Sequence, residues 1–174
     1  LARLKLIFVL PGSHFTDGFL SSWNKTLLHF AERHDVHTCL AASSNVTAVR
    51  NLAVGRDVFH GWEYDYCMWI DSDTVFEASD IELLLAAKKD IISGLVPIDL
   101  KANTGVGFFK EDGFLDYLNQ KNIPGDEPFE VSFAGFAFLL VRAGVFEKMG
   151  YPPFTMVSVD WEGKQIVYGE DVQW

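Results

Sequence analysis

Positive charge is in short supply in this chain. Its 14 Lys and Arg residues are outnumbered by 24 Asp and Glu, a formal net charge of -10. DNA, RNA and anionic lipid are held by neutralising phosphates with Lys and Arg, so no nucleic-acid partner is expected. A phosphate-bearing substrate would need a divalent cation, which inverts the local electrostatics where carboxylates meet. Cysteine is equally sparse. Cys39 and Cys67 each lie inside an apolar run, which favours two buried thiols over a disulfide. Long hydrophobic runs are missing too: the stretch at 4–10 is far too short to span a bilayer, and no small-residue cleavage site follows it. We therefore expect neither a membrane segment nor a signal peptide in this chain, and a cytoplasmic or soluble protein. The histidines at 14, 29, 34, 37 and 60 lack the spacing of a zinc site. No repeat, low-complexity tract or linker divides the sequence, so one domain over residues 1–174 is expected.

Hydrophobic residues are abundant, at 49%, and aromatics make up 14%, enough for one sizeable core. The run at 4–10, stopped by Pro11-Gly12, predicts a buried parallel strand. A helix follows from a cap at Thr16 or Asp17 through to His34, with Phe19, Leu20, Trp23, Leu27, Phe30 and Ala31 on its inner face. A second strand is expected at 36–42 and a helix at 46–58, burying Val46, Val49, Leu52, Ala53 and Val58. Tyr66-Cys67-Met68-Trp69-Ile70 predicts a third strand and residues 78–88 a helix burying Leu83, Leu84 and Ala87. A fourth strand is expected at 91–96. This β-α alternation over about 1–100 argues an α/β domain with a mostly parallel sheet. Over about 101–174 the pattern changes to short strands at 105–110, 129–133 and 155–159, a stronger strand at 136–141, a short helix at 143–149 and a hairpin bend at Gly163. That half is expected to be partly antiparallel. A helix is expected to start at Gly169-Glu170-Asp171, and natural sequence is expected to continue beyond Trp174.

The chemistry-bearing feature is Asp71-Ser72-Asp73, directly after the third strand. In open α/β sheets ligands bind beyond the carboxyl ends of the strands. An i, i+2 pair in extended chain points both carboxylates to one side, where they can share a cation. Oxygen ligation suits Mn²⁺ or Mg²⁺, which also take phosphate oxygens from a substrate. The alternative is that these residues only cap the following helix or form an Asx turn.

The stretch Val49-Arg50-Asn51-Leu52-Ala53, followed about twenty residues later by the strand ending in Asp71-Ser72-Asp73, resembles the nucleotide-binding half of GT-A glycosyltransferases. Ala134-Gly135-Phe136-Ala137-Phe138-Leu139-Leu140-Val141-Arg142, then Val145-Phe146 and Gly150, is similar to that family's central glycine, strand and short helix. Gly169-Glu170-Asp171-Val172 resembles its late E-D motif. These pieces occur in family order over nearly the whole chain, and a small acidic version of the fold also resembles glycosyltransferases of large algal viruses. The resemblance implies a single GT-A (Rossmann-like) domain: a central, mostly parallel mixed sheet flanked by helices. It implies a metal-dependent transferase moving a sugar from a nucleotide-diphosphate donor, a UDP-sugar first, to a carbohydrate or glycan acceptor. On that pattern Pro11 and Gly12 lie beside the base, Arg50 approaches base or phosphates, Asp71 and Asp73 hold the metal and Ser72 touches the ribose. Gly135 leaves room for donor sugar or acceptor. Asp171, or Glu170 beside it, is the base that deprotonates the acceptor in an inverting transfer. The family's further metal ligand, commonly a His, would fall beyond Trp174.

Two other functions compete. Ile70-Asp71-Ser72-Asp73-Thr74-Val75 also matches the first motif of haloacid-dehalogenase-type phosphatases, with Asp71 as nucleophile, Asp73 as acid/base and Ser93 in the second motif. That motif normally opens its domain, whereas two β-α units precede it here. A non-catalytic carbohydrate-binding module would bind ligand without turnover. Trp161, Tyr168 and Trp174 are candidates to stack on a sugar face.

Overall fold

A computed structural model describes residues 3–55, 61–111, 114–161 and 163–168. The first strand, β1 (Lys5–Pro11), reads apolar without a break because both of its faces are covered. Leu6, Phe8 and Leu10 point into one core and Ile7 and Val9 into the other. Helix α1 (Asp17–Ala31) starts where the Thr16 hydroxyl accepts a hydrogen bond from Phe19 N, and buries Phe19, Ser22, Thr26 and Phe30. The apolar stripe is narrower than expected: Leu20 is 44% exposed and Ala31 is also exposed, since polar Ser22 and Thr26 take the inner positions. Ser22 Oγ accepts from Phe76 N at 3.1 Å, which explains a hydroxyl there.

Strand β2 (Asp35–Ala41) pairs parallel with one side of β1, and β3 (Tyr66–Ile70) pairs parallel with the other. Between them α2 (Val46–Ala53) is capped by Asn45, whose Oδ1 accepts from Ala48 N at 2.9 Å. This helix corrects the expected face. Val46 and Leu52 are about half exposed at 50% and 47%, while Arg50 is buried at 4%. The α-helix stops at Ala53, and Val58 lies outside the described residues. In α3 (Ala78–Ala87) Ile81 and Leu84 are buried, whereas Leu83, expected inside, is 70% exposed.

The fourth strand, β4 (Ile91–Ser93), is shorter than expected. Past it the chain leaves the main sheet, and Val96 O accepts from Gly105 N instead. There β5 (Asn103–Phe109), β6 (Leu115–Asn119) and β7 (Phe133–Ala134) form a small antiparallel sheet in the order β6-β5-β7. The expected strand at 129–133 is reduced to its last residue plus Ala134. Residues 135–137 hand the chain from that sheet to the larger one: Gly135 N donates to Gly105 O, and Ala137 O accepts from Asp71 N. The strand expected at 136–141 therefore starts at Phe138, as β8 (Phe138–Arg142). It is followed by α4 (Val145–Met149) and the hairpin β9 (Val157–Trp161) with β10 (Lys164–Tyr168), which bends at Gly163.

The main sheet has the order β2-β1-β3-β8-β4. Its β8 runs antiparallel to both β3 and β4, so the sheet is mixed. On one face Phe8, Met68, Ile70 and Leu140 pack under α1 and α3, with Phe30 of α1 in the same cluster. On the other Trp69 meets Phe136 edge-on at 5.3 Å and Phe154 at 5.7 Å between ring centroids. Cys39 and Cys67 are free thiols buried in that second core, and burial pushes the Cys67 thiol well up, away from nucleophilic use. Among the described residues no helix is long and apolar enough to cross a membrane.

Candidate functional site

Because β2 lies on one side of β1 and β3 on the other, the chain leaves β1 and returns to β3 on opposite sides of one crevice. That is the switch point at which open α/β sheets bind ligands. Pro11-Gly12 ends β1 there, and Asp71-Ser72-Asp73 leaves β3 beside it. The two loops are packed together. Gly12 has φ +144°, and a Cβ on it would sit 3.0 Å from Ser72 Cβ and Oγ. Thr16 N donates to Ser72 O at 3.0 Å, so the start of α1 is tied to the acidic loop.

The acidic triplet is not extended, which corrects the same-side argument. Thr74 N donates to Asp71 O at 3.1 Å, closing a turn with Ser72 and Asp73 at its corners. Asp71 is 34% exposed by side chain and Asp73 is exposed. The bland alternative also fails in part, because α3 is capped elsewhere: its N-cap is Glu77, whose N donates to Asp80 Oδ2 at 2.8 Å. Neither Asp71 nor Asp73 caps this helix.

Arg50 reaches the same edge from α2. Its guanidinium lies 4.9 Å over the Phe136 ring, and its Nη2 is 3.9 Å from Asp71 Oδ1. A buried guanidinium is costly alone, and a ring face with a nearby carboxylate offsets that cost. Arg50 and Asp71 are the charged lining of a cavity of about 190 Å³. Gly105, Gly135 and Ala137 also line it, with Ile98, Tyr117, Phe133 and Phe136 as its apolar and aromatic lining. Sequence patterning does not reveal this aromatic lining: Phe136 lies beside Gly135 in a run that reads as strand, and Tyr117 lies in a turn-rich stretch with no periodic signal.

A larger, more open cavity of about 570 Å³ lies at the amino edge of the sheet. We prefer the smaller one, because the charged groups of the larger satisfy one another. Lys5 Nζ sits 2.6 Å from Glu63 Oε2, and Tyr64 OH donates to Glu147 Oε1 at 2.8 Å. Burial and that hydrogen bond push the Tyr64 phenol far up, keeping it a donor.

Glu170 and Asp171 lie outside the described residues, as does Trp174. Ser93 is brought no closer to Asp71 by the fold: β8 runs between β4 and β3, and the Ser93 hydroxyl donates to Gly94 O and Phe138 O. Among the described residues no group of three His, Cys, Asp or Glu side chains gathers to hold a metal. Two carboxylates nevertheless suit Mg²⁺ or Mn²⁺, which bind through one or two carboxylates with substrate phosphates and water completing the shell. No family model matches this chain and no curated protein matches it, so the functional reading rests on the geometry and the motifs.

Proposed function

We propose that this chain is a GT-A-type glycosyltransferase domain that moves a sugar from a nucleotide diphosphate, a UDP-sugar first, to an acceptor hydroxyl. The supporting observation is that Arg50, Asp71 and Gly135, far apart in sequence, line one cavity, beside the Gly12–Ser72 contact at the switch point. In this reading Pro11, Gly12 and Ser72 bound the nucleoside, and Asp71 and Asp73 would hold Mn²⁺ or Mg²⁺. Such a cation supplies charge stabilisation of the departing diphosphate. Arg50, fixed over Phe136, adds a preoriented positive charge toward the phosphates and needs no reorganisation during reaction. The acceptor proton is assigned to Asp171, with Glu170 beside it, on the motif alone.

Calorimetry with UDP and GDP, with and without Mn²⁺, tests the site. We expect metal-dependent binding that Asp71→Asn or Asp73→Asn weakens by about tenfold to a hundredfold. Binding of equal strength without metal, or undiminished in both variants, would sink the reading.

A further inference from the structure

Two residues that line the cavity, Gly105 on β5 and Tyr117 on β6, sit at an irregular part of the small sheet. Asn103 pairs with Asn119 and Gly107 with Tyr117, so Thr104, Gly105 and Val106 of β5 face the single Leu118 of β6. Extra residues in one strand interrupt the ladder and leave its register weakly fixed. The bonds that fix it lie beyond the bulge.

They centre on the Asp99 carboxylate, in the loop that leads into β5. Its Oδ1 accepts from Lys101 N at 2.8 Å and from Asn103 N at 3.1 Å, and its Oδ2 accepts from Asn103 Nδ2 at 2.8 Å. Asn119 extends the network from β6: its Nδ2 donates to Lys101 O at 2.8 Å and to Asn103 Oδ1 at 3.1 Å. Backbone bonds close the same loop, from Ile98 N to Asn103 O and from Gln120 N to Ala102 O. Ala102 is held at φ +64°, a left-handed conformation that a residue with a Cβ keeps only where its surroundings over-determine it. The bonds to the carboxylate, that from Asn103 N foremost, hold the Asp99 pKa below its usual value. Ile98, the neighbour of Asp99, is a third residue lining the cavity, whereas Asp99 itself does not line it.

Resting on the function proposed above, we propose that Asp99 is a positioning residue for this site: it fixes loop 98–103 and the β5–β6 register so that Ile98, Gly105 and Tyr117 are in place before a ligand arrives. The loop is then a fixed part of the site and not a lid that closes over it. A site formed in advance loses no affinity to ordering that loop on binding.

The test combines amide exchange by NMR on the full chain with calorimetry of UDP and GDP in the presence of Mn²⁺. In the wild type the Lys101, Asn103 and Gln120 amides should be protected, and a bound diphosphate with Mn²⁺ should leave that protection unchanged. Asp99→Ala should speed exchange at Lys101 and Asn103 about tenfold while the amides of β1 and β3 keep their protection, and should weaken diphosphate binding about threefold to tenfold. Asp99→Asn keeps an acceptor for both backbone N–H groups and should restore most of the protection and of the affinity. Should Asp99→Ala fail to fold, Asn119→Ala, which cuts the network from β6, carries the same test with losses in the same direction. Wild-type amides that are unprotected, or that gain protection when the diphosphate binds, overturn the positioning role. So does an Asp99→Ala variant with unchanged exchange, or with faster exchange and undiminished affinity; in each case the nucleotide site stands. If neither UDP nor GDP binds the wild type with Mn²⁺, the proposed function is overturned and the positioning role with it.

Discussion

Arg50 decides the character of the candidate site at the residue scale. A cation on an amphipathic helix ordinarily points to water, and here it is 4% exposed, lying over Phe136 and toward Asp71. His34 is a second residue whose surroundings set its chemistry. Its Nδ1 accepts from Leu4 N at 3.2 Å, a bond that protonation of that nitrogen would break. Burial, then Arg3 and Arg33, hold its pKa below the usual 6.5, with Glu82 opposing them. The folded state thus resists a proton that the unfolded chain accepts. The contribution of His34 is fully present above about 6.5 and is lost as pH falls through the depressed folded value. We expect the thermal midpoint to drop from about pH 7.5 to about pH 5.5, above the range of ordinary carboxylates, and the drop to shrink in His34→Asn. Equal drops in the two proteins would refute this role.

At the scale of elements, β1, α1 and β3 were legible because an unbroken apolar run or a three-to-four stripe has one physical solution in water. Helix α2 was legible in position but not in face. Hydrophobicity put Val46 and Leu52 inside, yet both are about half exposed at 50% and 47%, because the helix turns Arg50 inward and Asn51 toward the segment at 154. Asn51 Nδ2 donates to Phe154 O at 2.7 Å and its Oδ1 accepts from Phe154 N at 3.0 Å. One amide therefore clamps α2 to a segment 103 residues away and seats Phe154 against Phe136, 5.0 Å between centroids, beneath Arg50. Asn51→Leu leaves both backbone groups without that partner, and we expect it to cost about 1–3 kcal/mol in urea unfolding. Nucleotide affinity should fall with it if the clamp also positions Arg50. A loss under about 0.5 kcal/mol, the size of an ordinary surface change, would refute the clamp.

At the scale of the whole molecule, an acidic chain is asked to hold an anionic donor, and on the reading proposed here cation and nucleotide must arrive together. Mn²⁺ plus UDP, near a hundred times their dissociation constant, should raise the thermal midpoint by roughly 5–10 °C, and UDP alone should raise it far less. An equal shift without metal would contradict that coupling. The sequence by itself determined the α/β class, the two buried thiols and the Asp71-Ser72-Asp73 loop after β3, because these follow from local hydrophobic runs and their punctuation. It also put Arg50 and Gly135 on the candidate list. Only the tertiary structure decided that β8 runs antiparallel between β3 and β4 and that the acidic loop is a turn. It alone brought Tyr117 and Phe133 to the same cavity as Arg50 and Asp71. Those outcomes depend on pairings between residues far apart in the chain, whose energies are not written in the periodicity of any one segment.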